Sequence, residues 1–199
     1  MTMKLYDAEL SGNCHRVRLL LALLGRPYDK VAVNMRAGEN RTPQYLALNP
    51  RGQVPVLSDG DFNVWDSQAI LVYLARAYGG ETWLPTDARG MADVMQWMAV
   101  SENEILYGLA RARVMQKFGV PGDIEACRQM GHKILDVMNG HLATRDWLAC
   151  GRLTIADVAC FPYVALAPEG GVTLDAYANV RRWIERVKAL PGYVGMPGL

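Results

Sequence analysis

The chain has 199 residues, enough for one large domain or two small ones with a buried core. Its 21 basic and 20 acidic residues leave a formal net charge of +1, so no broad basic face is available to release counterions from nucleic acid or to hold an anionic membrane. The longest aliphatic run, Leu19 to Leu24, falls far short of the roughly 20 residues that cross a bilayer, and Asp7 interrupts the start before a signal-like apolar stretch develops.

These exclusions favour small-molecule partners and a cytoplasmic location. Met3 to Tyr6 reads as a strand and Asn13 to Leu24 as a helix, with Gly25 placed to end it and Pro27 just beyond. Tyr28 to Val33 is a second strand and Pro43 to Leu48 a short helix. Pro55 to Leu57 and Phe62 to Val64 flank Asp59-Gly60, a dipeptide suited to a tight hairpin turn. Ser67 to Tyr78 is again helical, with Ile70, Leu71, Leu74 and Tyr78 on one face and Gly79-Gly80 as its stop. The order βαβαββα occupies residues 1–80. Residues 81–87, with Pro85, read as a linker, and 88–199 form an all-helical domain. Long helical patterns run from Arg89 to Phe118 and from Ile124 to Leu142, and a final helix spans Val180 to Ala189.

Cys14, Cys127, Cys150 and Cys160 form no C-x-x-C pair, and His15, His132 and His141 have no ligand spacing, so neither a disulfide nor a metal site is expected.

Three segments can carry chemistry. In Ser11-Gly12-Asn13-Cys14-His15-Arg16-Val17, the unpaired N–H groups of a helix start stabilise an anion, including a thiolate, and Ser11 can add a hydroxyl donor. A serine hydroxyl is a poor base, so its chemical task would be to lower the pKa of a thiol supplied by a cofactor. Alternatively, Ser11 or Asn13 merely caps the helix. In Asn49 to Leu57, a cis Val54-Pro55 bond would turn the Val54 N–H and C=O toward an extended thiol peptide, which would pair as an added strand. An ordinary turn proline fits the same residues. In Trp65-Asp66-Ser67-Gln68-Ala69-Ile70, Ser67 and the free N–H groups suit a carboxylate and Asp66 an ammonium, unless the pair is again only a cap. Thr154 and Asp157 make a capping box with a structural role.

In this order, Gln53-Val54-Pro55, Asp66-Ser67-Gln68-Ala69-Ile70 and Thr154-Ile155-Ala156-Asp157 resemble the soluble glutathione transferase superfamily over essentially the whole chain, with bacterial theta- and zeta-like features. The resemblance implies a thioredoxin-like N-terminal domain, an all-helical C-terminal domain, a cytoplasmic homodimer and glutathione as co-substrate. It implies a thiolate held by Ser11 or Asn13, and a glutathione strip of Asn40, Gln53, Val54, Pro55, Asp66 and Ser67. The electrophile wall would include Glu102, Asn103, Leu106, Tyr107 and Arg111. Ser11 also occupies the position of the redox cysteine of omega-like relatives, which argues against mixed-disulfide chemistry. The implied activity is thiolate attack on a hydrophobic electrophile, with a role in detoxification. The same fold also serves glutathione-dependent isomerases, dehalogenases and peroxidases, and non-catalytic glutathione-binding regulators.

Overall fold

The computed structural model describes residues 2–199. The chain begins with β1 (Met3–Asp7), α1 (Gly12–Leu23), β2 (Tyr28–Ala32), a 3-10 turn (Glu39–Arg41) and α2 (Pro43–Leu48). It continues through β3 (Val56–Asp59), β4 (Phe62–Trp65) and α3 (Ser67–Leu74). The sheet order is β2-β1-β3-β4: β1 runs parallel to β2 and antiparallel to β3, with Leu5 opposite Leu57, and β3 pairs antiparallel with β4. Alternation along β1 sends Met3, Leu5 and Asp7 inward. Met3, Leu5 and Leu57 join Val17, Leu20, Ile70 and Leu71 under α1 and α3, while Val33, Tyr45 and Val56 form a smaller cluster beneath α2.

Besides shifts of one or two residues at element ends, two features of this half differ from the sequence expectation. Asp59 is the last residue of β3, paired with Phe62, so the hairpin turns on Gly60-Asp61 and Gly60 takes the positive φ of 64°. The helix expected to reach Tyr78 ends at Leu74 and gives way to a π-helical turn, Ala75–Gly79, in which Tyr78 donates its hydroxyl to the Asp59 carboxylate at that hairpin.

The second half contains α4 (Ala88–Val100), α5 (Arg111–Phe118), α6 (Ile124–His141), α7 (Ile155–Ala165) and α8 (Ala178–Lys188). Between α4 and α5 lies a π-helical stretch, Ser101–Ala110, where the sequence predicts an unbroken α-helix. Here the helix crosses α6 backbone to backbone. A Cβ on Gly108 would lie 2.8 Å from the Gly131 amide, so two glycines permit the contact and the widened turns accommodate it. Among the described residues, no helix is long and apolar enough to span a membrane.

Helix α7 is the axis of the fold. Ile155 through Val164 are all buried, and an all-round apolar helix has no amphipathic period to read. Its start follows from the capping box. Thr154 N–H donates to Asp157 Oδ2 at 3.1 Å, while Asp157 Oδ1 accepts from Leu148 N–H at 3.0 Å and Trp183 Nε1 at 2.9 Å. One carboxylate thus ties α7 to the preceding loop and to α8. Helix α7 also packs against α1, where a Cβ on Gly12 would meet the Tyr163 ring at 2.6 Å. The two halves therefore share one continuous apolar core, from Leu5 and Leu71 to Phe161 and Trp183.

Asp157→Ala leaves three buried N–H donors without acceptors. At about 1–3 kcal/mol each, urea unfolding should show a loss of at least about 3 kcal/mol, and a loss below about 1 kcal/mol would contradict the assignment.

His15 is also buried in α1, edge-on to Phe161, with both ring nitrogens unpartnered. Burial, then the Arg18 and Arg16 charges, push its pKa down to about 3 from 6.5. The unfolded chain therefore binds the proton more tightly. Stability is fully present above pH 6.5 and falls as pH drops toward 3, by up to about 1.4 kcal/mol per pH unit from this group. His15→Leu should hold its stability at pH 7 and lose less on going to pH 5 than the parent; identical acid slopes would refute this.

Candidate functional site

The turn from β1 into α1 places Ser11 at the N-cap, with extended backbone and its Oγ accepting from Cys14 N–H at 3.3 Å. The cap uses the oxygen as acceptor only, so the hydroxyl hydrogen remains available for an anion. Capping and anion binding are compatible at this residue. Asn13 follows in the first turn. Its Oδ1 is buried without a partner, whereas its Nδ2 reaches solvent. Both side chains thus offer a donor beside the unpaired N–H groups of the helix start. Cys14 is fully buried, and burial, followed by the charge of Asp7, pushes its thiol up to about 12; it is a packing residue.

The loop before β3 is shaped by side chains pulled inward. Asn49 Nδ2 and the Tyr45 hydroxyl both donate to the Gln53 carbonyl, at 2.8 and 2.9 Å. Asn40 is buried and donates to the Gly52 carbonyl at 2.7 Å, so its amide supports the loop, not the open side where the sequence expectation placed it. The Gln53 side chain is exposed. The Val54-Pro55 bond is cis, and neither Val54 N–H nor C=O is taken by a hydrogen bond among the described residues. A free N–H and C=O on one residue is the pairing edge that an extended peptide needs. Asn49 and Tyr45 were not singled out from the sequence, although an Asn-Pro turn is a signal for loop-directed side chains.

At the start of α3, Asp66 holds φ 77° and ψ 126°, a strained backbone for a residue with a Cβ, and strain of this kind gathers at ligand clamps. Its Oδ1 accepts from Gln68 N–H at 3.0 Å and its Oδ2 from Arg51 at 3.1 Å. Ser67 is buried and accepts from Arg16 Nη1 at 3.0 Å, which leaves its own hydroxyl hydrogen free to donate.

Arg16 is the residue that sequence reasoning missed. It is fully buried in α1, where a charged side chain between Cys14 and Val17 looks like part of a solvated helix edge. Its Nη1 also reaches Glu102 Oε1 at 2.6 Å, its Nη2 reaches Ser101 Oγ at 2.7 Å, and the guanidinium lies 5.3 Å from the Tyr163 ring centre. Gln68 Nε2 joins the same cluster, 2.7 Å from Glu102 Oε1. One guanidinium therefore connects the first helix, the start of α3 and the π-helical stretch.

Of the wall residues expected from the sequence, Glu102 enters this cluster and remains about one-third exposed. Leu106 packs partly against the core. Asn103, Tyr107 and Arg111 lie on the exposed side of the long helix, and none bonds to the first domain; Asn103 donates back to Ala99 C=O. His132 pairs with the Tyr177 hydroxyl and His141 with the Leu148 carbonyl. No group of three or more His, Cys, Asp or Glu among the described residues could hold a metal ion.

A mixed four-stranded sheet packed with helices and followed by a helical domain defines a protein of thioredoxin-like design. Residues 1–76 match the model of the glutathione S-transferase N-terminal domain, and residues 121–186 that of the C-terminal domain. A probable glutathione S-transferase of Oryza sativa subsp. japonica is 34% identical over 95% of this chain and 93% of its own length. The structure of a glutathione S-transferase from Pseudomonas fluorescens superposes with a TM-score of 0.93 at 35% identity, over 98% of this chain and 99% of that one. A glutathione transferase homolog from Drosophila mojavensis, solved with bound glutathione, superposes with a TM-score of 0.86 at 29% identity, over 96% and 89%. The chain belongs to the glutathione S-transferase family, whose enzymes use glutathione as co-substrate.

Losing hydrogen bonds to a charged group costs about 1.5–3 kcal/mol, and Arg16 donates to Ser67, Ser101 and Glu102, the last of which stays partly solvated. Arg16→Met should lower unfolding stability by that order in urea, and a change below about 1 kcal/mol would show that the buried guanidinium is not structurally required.

Proposed function

We propose that this transferase binds glutathione along Gln53, Val54, Pro55, Asp66 and Ser67, with its sulfur held as a thiolate by Ser11 and Asn13 at the start of α1. The observation that carries the proposal is the pair of free donors at that helix start: the Ser11 cap leaves its O–H uncommitted, and Asn13 buries its oxygen while its Nδ2 stays accessible. Donors and helix dipole both favour the anion, so they lower the thiol pKa. One unit of lowering from about 8.5 raises the thiolate fraction at pH 7 about eightfold.

The rest of the peptide follows the free polar atoms. The Val54 N–H and C=O pair with the cysteinyl backbone as an added strand. Ser67 and the N–H groups opening α3 take the γ-glutamyl carboxylate, and Asp66 takes the ammonium, with Glu102 as a second carboxylate close to Ser67 through Arg16. Asn40 acts indirectly, by holding Gly52 and hence the Val54 loop. The family's glutathione-bound homolog supports this use of the fold.

In this account residues 1–80 hold glutathione, 81–87 join the domains, and 88–199 supply the electrophile wall through Glu102, Asn103, Leu106, Tyr107 and Arg111. A hydrophobic electrophile held against that wall sits over the sulfur, and proximity converts attack into an effectively intramolecular step. The thiolate forms a bond to the electrophilic carbon while a leaving group departs with its bonding pair or, in an addition, the π pair shifts to the neighbouring atom and takes up a proton from water, which is conjugation.

The enzyme acts as a homodimer. Phe62 and Trp65 are exposed on the edge strand β4, and Met95 is exposed on α4, so each half of the chain carries uncovered apolar side chains suited to a partner subunit. Sedimentation should give twice the chain mass, and a monomer at micromolar concentration would contradict the dimer.

The chemical proposal is tested by ultraviolet difference titration of bound glutathione. Thiolate should appear at least one pH unit below the free thiol, and Ser11→Ala or Asn13→Ala should return the transition toward the free value. Binding without any pKa shift in the parent would place the protein among non-catalytic glutathione binders.

A further inference from the structure

We infer that Arg113, at the far end of the long helix, is a positioning residue for the thiolate site: it fixes the loop that presents Ser11 from the opposite domain. The inference rests on the assignment of Ser11 to the thiolate and extends it to a residue remote in sequence.

Arg113 lies in α5 and is 2% exposed, yet its guanidinium is not spent on its own helix. Nη1 donates to the Leu10 carbonyl at 2.9 Å, the residue immediately before Ser11. Nε donates to Glu169 Oε2 at 2.5 Å, and Lys117 holds the other Glu169 oxygen. Glu169 belongs to a 3-10 turn, Ala167–Gly170, seated tightly on α5; a Cβ on Gly170 would lie 2.7 Å from the Arg113 amide. The guanidinium is thus oriented by a carboxylate that is itself fixed.

The loop it reaches has few anchors of its own. Ser11 N–H closes a turn on Ala8 C=O at 2.9 Å, while Glu9 and Leu10 are exposed. Arg18, paired with the buried Asp7, donates to the Glu9 carbonyl at 3.0 Å. Two successive loop carbonyls are therefore held by two guanidiniums, one from each domain. Arg18 sets the loop relative to the sheet, and Arg113 sets it relative to the helical wall. The Ser11 hydroxyl must meet a sulfur anchored elsewhere, along Val54 and Ser67, so a loop shifted by a fraction of an ångström loses the hydrogen bond while the peptide contacts persist. A misplacement of about 1 Å costs on the order of 100-fold in rate, and smaller shifts cost proportionately less.

The test compares Arg113→Met, Arg113→Lys, Glu169→Gln and Ser11→Ala with the parent, using glutathione and 1-chloro-2,4-dinitrobenzene as the probe pair. Circular dichroism and urea unfolding report the fold. The expected result for Arg113→Met is a 10- to 100-fold loss of kcat, glutathione affinity within about threefold of the parent, and the bound-thiol transition moved to higher pH. Arg113→Lys, which can reach one partner but not both, should fall between. If Arg113→Met does not fold, Glu169→Gln decides: a smaller shift in the same direction supports the inference, and an unchanged pH profile overturns it. A folded Arg113→Met with the parental pH profile and only reduced stability also overturns it, while Ser11→Ala still shifts. Failure of Ser11→Ala itself to shift the transition would instead remove the thiolate assignment beneath it.

Discussion

A fully buried guanidinium is tolerable only if its charge is balanced, and at Arg16 the balancing partners, which take Nη1 and Nη2 and leave Nε unpaired, come from two domains. Within a single helix, α1 cannot supply them. Ser67 comes from the start of α3, and Ser101 and Glu102 come from the π-helical stretch of the long helix. The desolvation cost of Arg16 is offset only when all three elements are in register. The same constraint fixes the part of the site that would take the γ-glutamyl end of glutathione, since Ser67 and Glu102 are held as Arg16 partners before any ligand arrives. Arg113 repeats the arrangement at the loop before Ser11, with Glu169 and the Leu10 carbonyl as its partners. Two buried arginines thus tie the domains together in opposite directions, Arg16 reaching from the first domain to the second and Arg113 from the second to the first.

Preorganisation also explains why the capping residues serve two purposes. A cap satisfies a backbone N–H through a side-chain oxygen and leaves any attached hydrogen unused. The Ser11 cap, and likewise Ser67, which accepts from Arg16 and is not itself a cap, leave an O–H uncommitted, so neither would have to break a native bond to donate. Asp66 pays in backbone conformation, with positive φ at a residue that has a Cβ, for a carboxylate placed beside that hydroxyl.

Most of the fold was legible in the sequence because its elements have amphipathic periods and clear terminators. Gly25, Pro43, the Asp59 hairpin and the Thr154 box each mark an element end through local chemistry. Local chemistry could not reveal α7 beyond its cap, since a helix buried all round shows no stripe. Nor could it reveal the π-helical stretch, which depends on Gly108 meeting Gly131, residues 23 positions apart. The site divided in the same way. Ser11, Val54 and Ser67 stand in recognisable motifs, and the structure gives each a free polar group. Asn40 was assigned to the ligand by its position, but the loop claims its amide. Arg16 and Arg113 escaped notice because an arginine in a helix is ordinarily solvated, and only tertiary packing shows that these two are not.

Arg16 couples the first half of the chain to the helical half. Hydrogen–deuterium exchange on the parent and on Arg16→Met measures that coupling by location. Protection should fall together in α1, at the start of α3 around residues 66–70 and in the stretch 101–110, although the last two are distant in sequence from the substitution. Loss of protection confined to α1, with the other two segments unchanged, would contradict it.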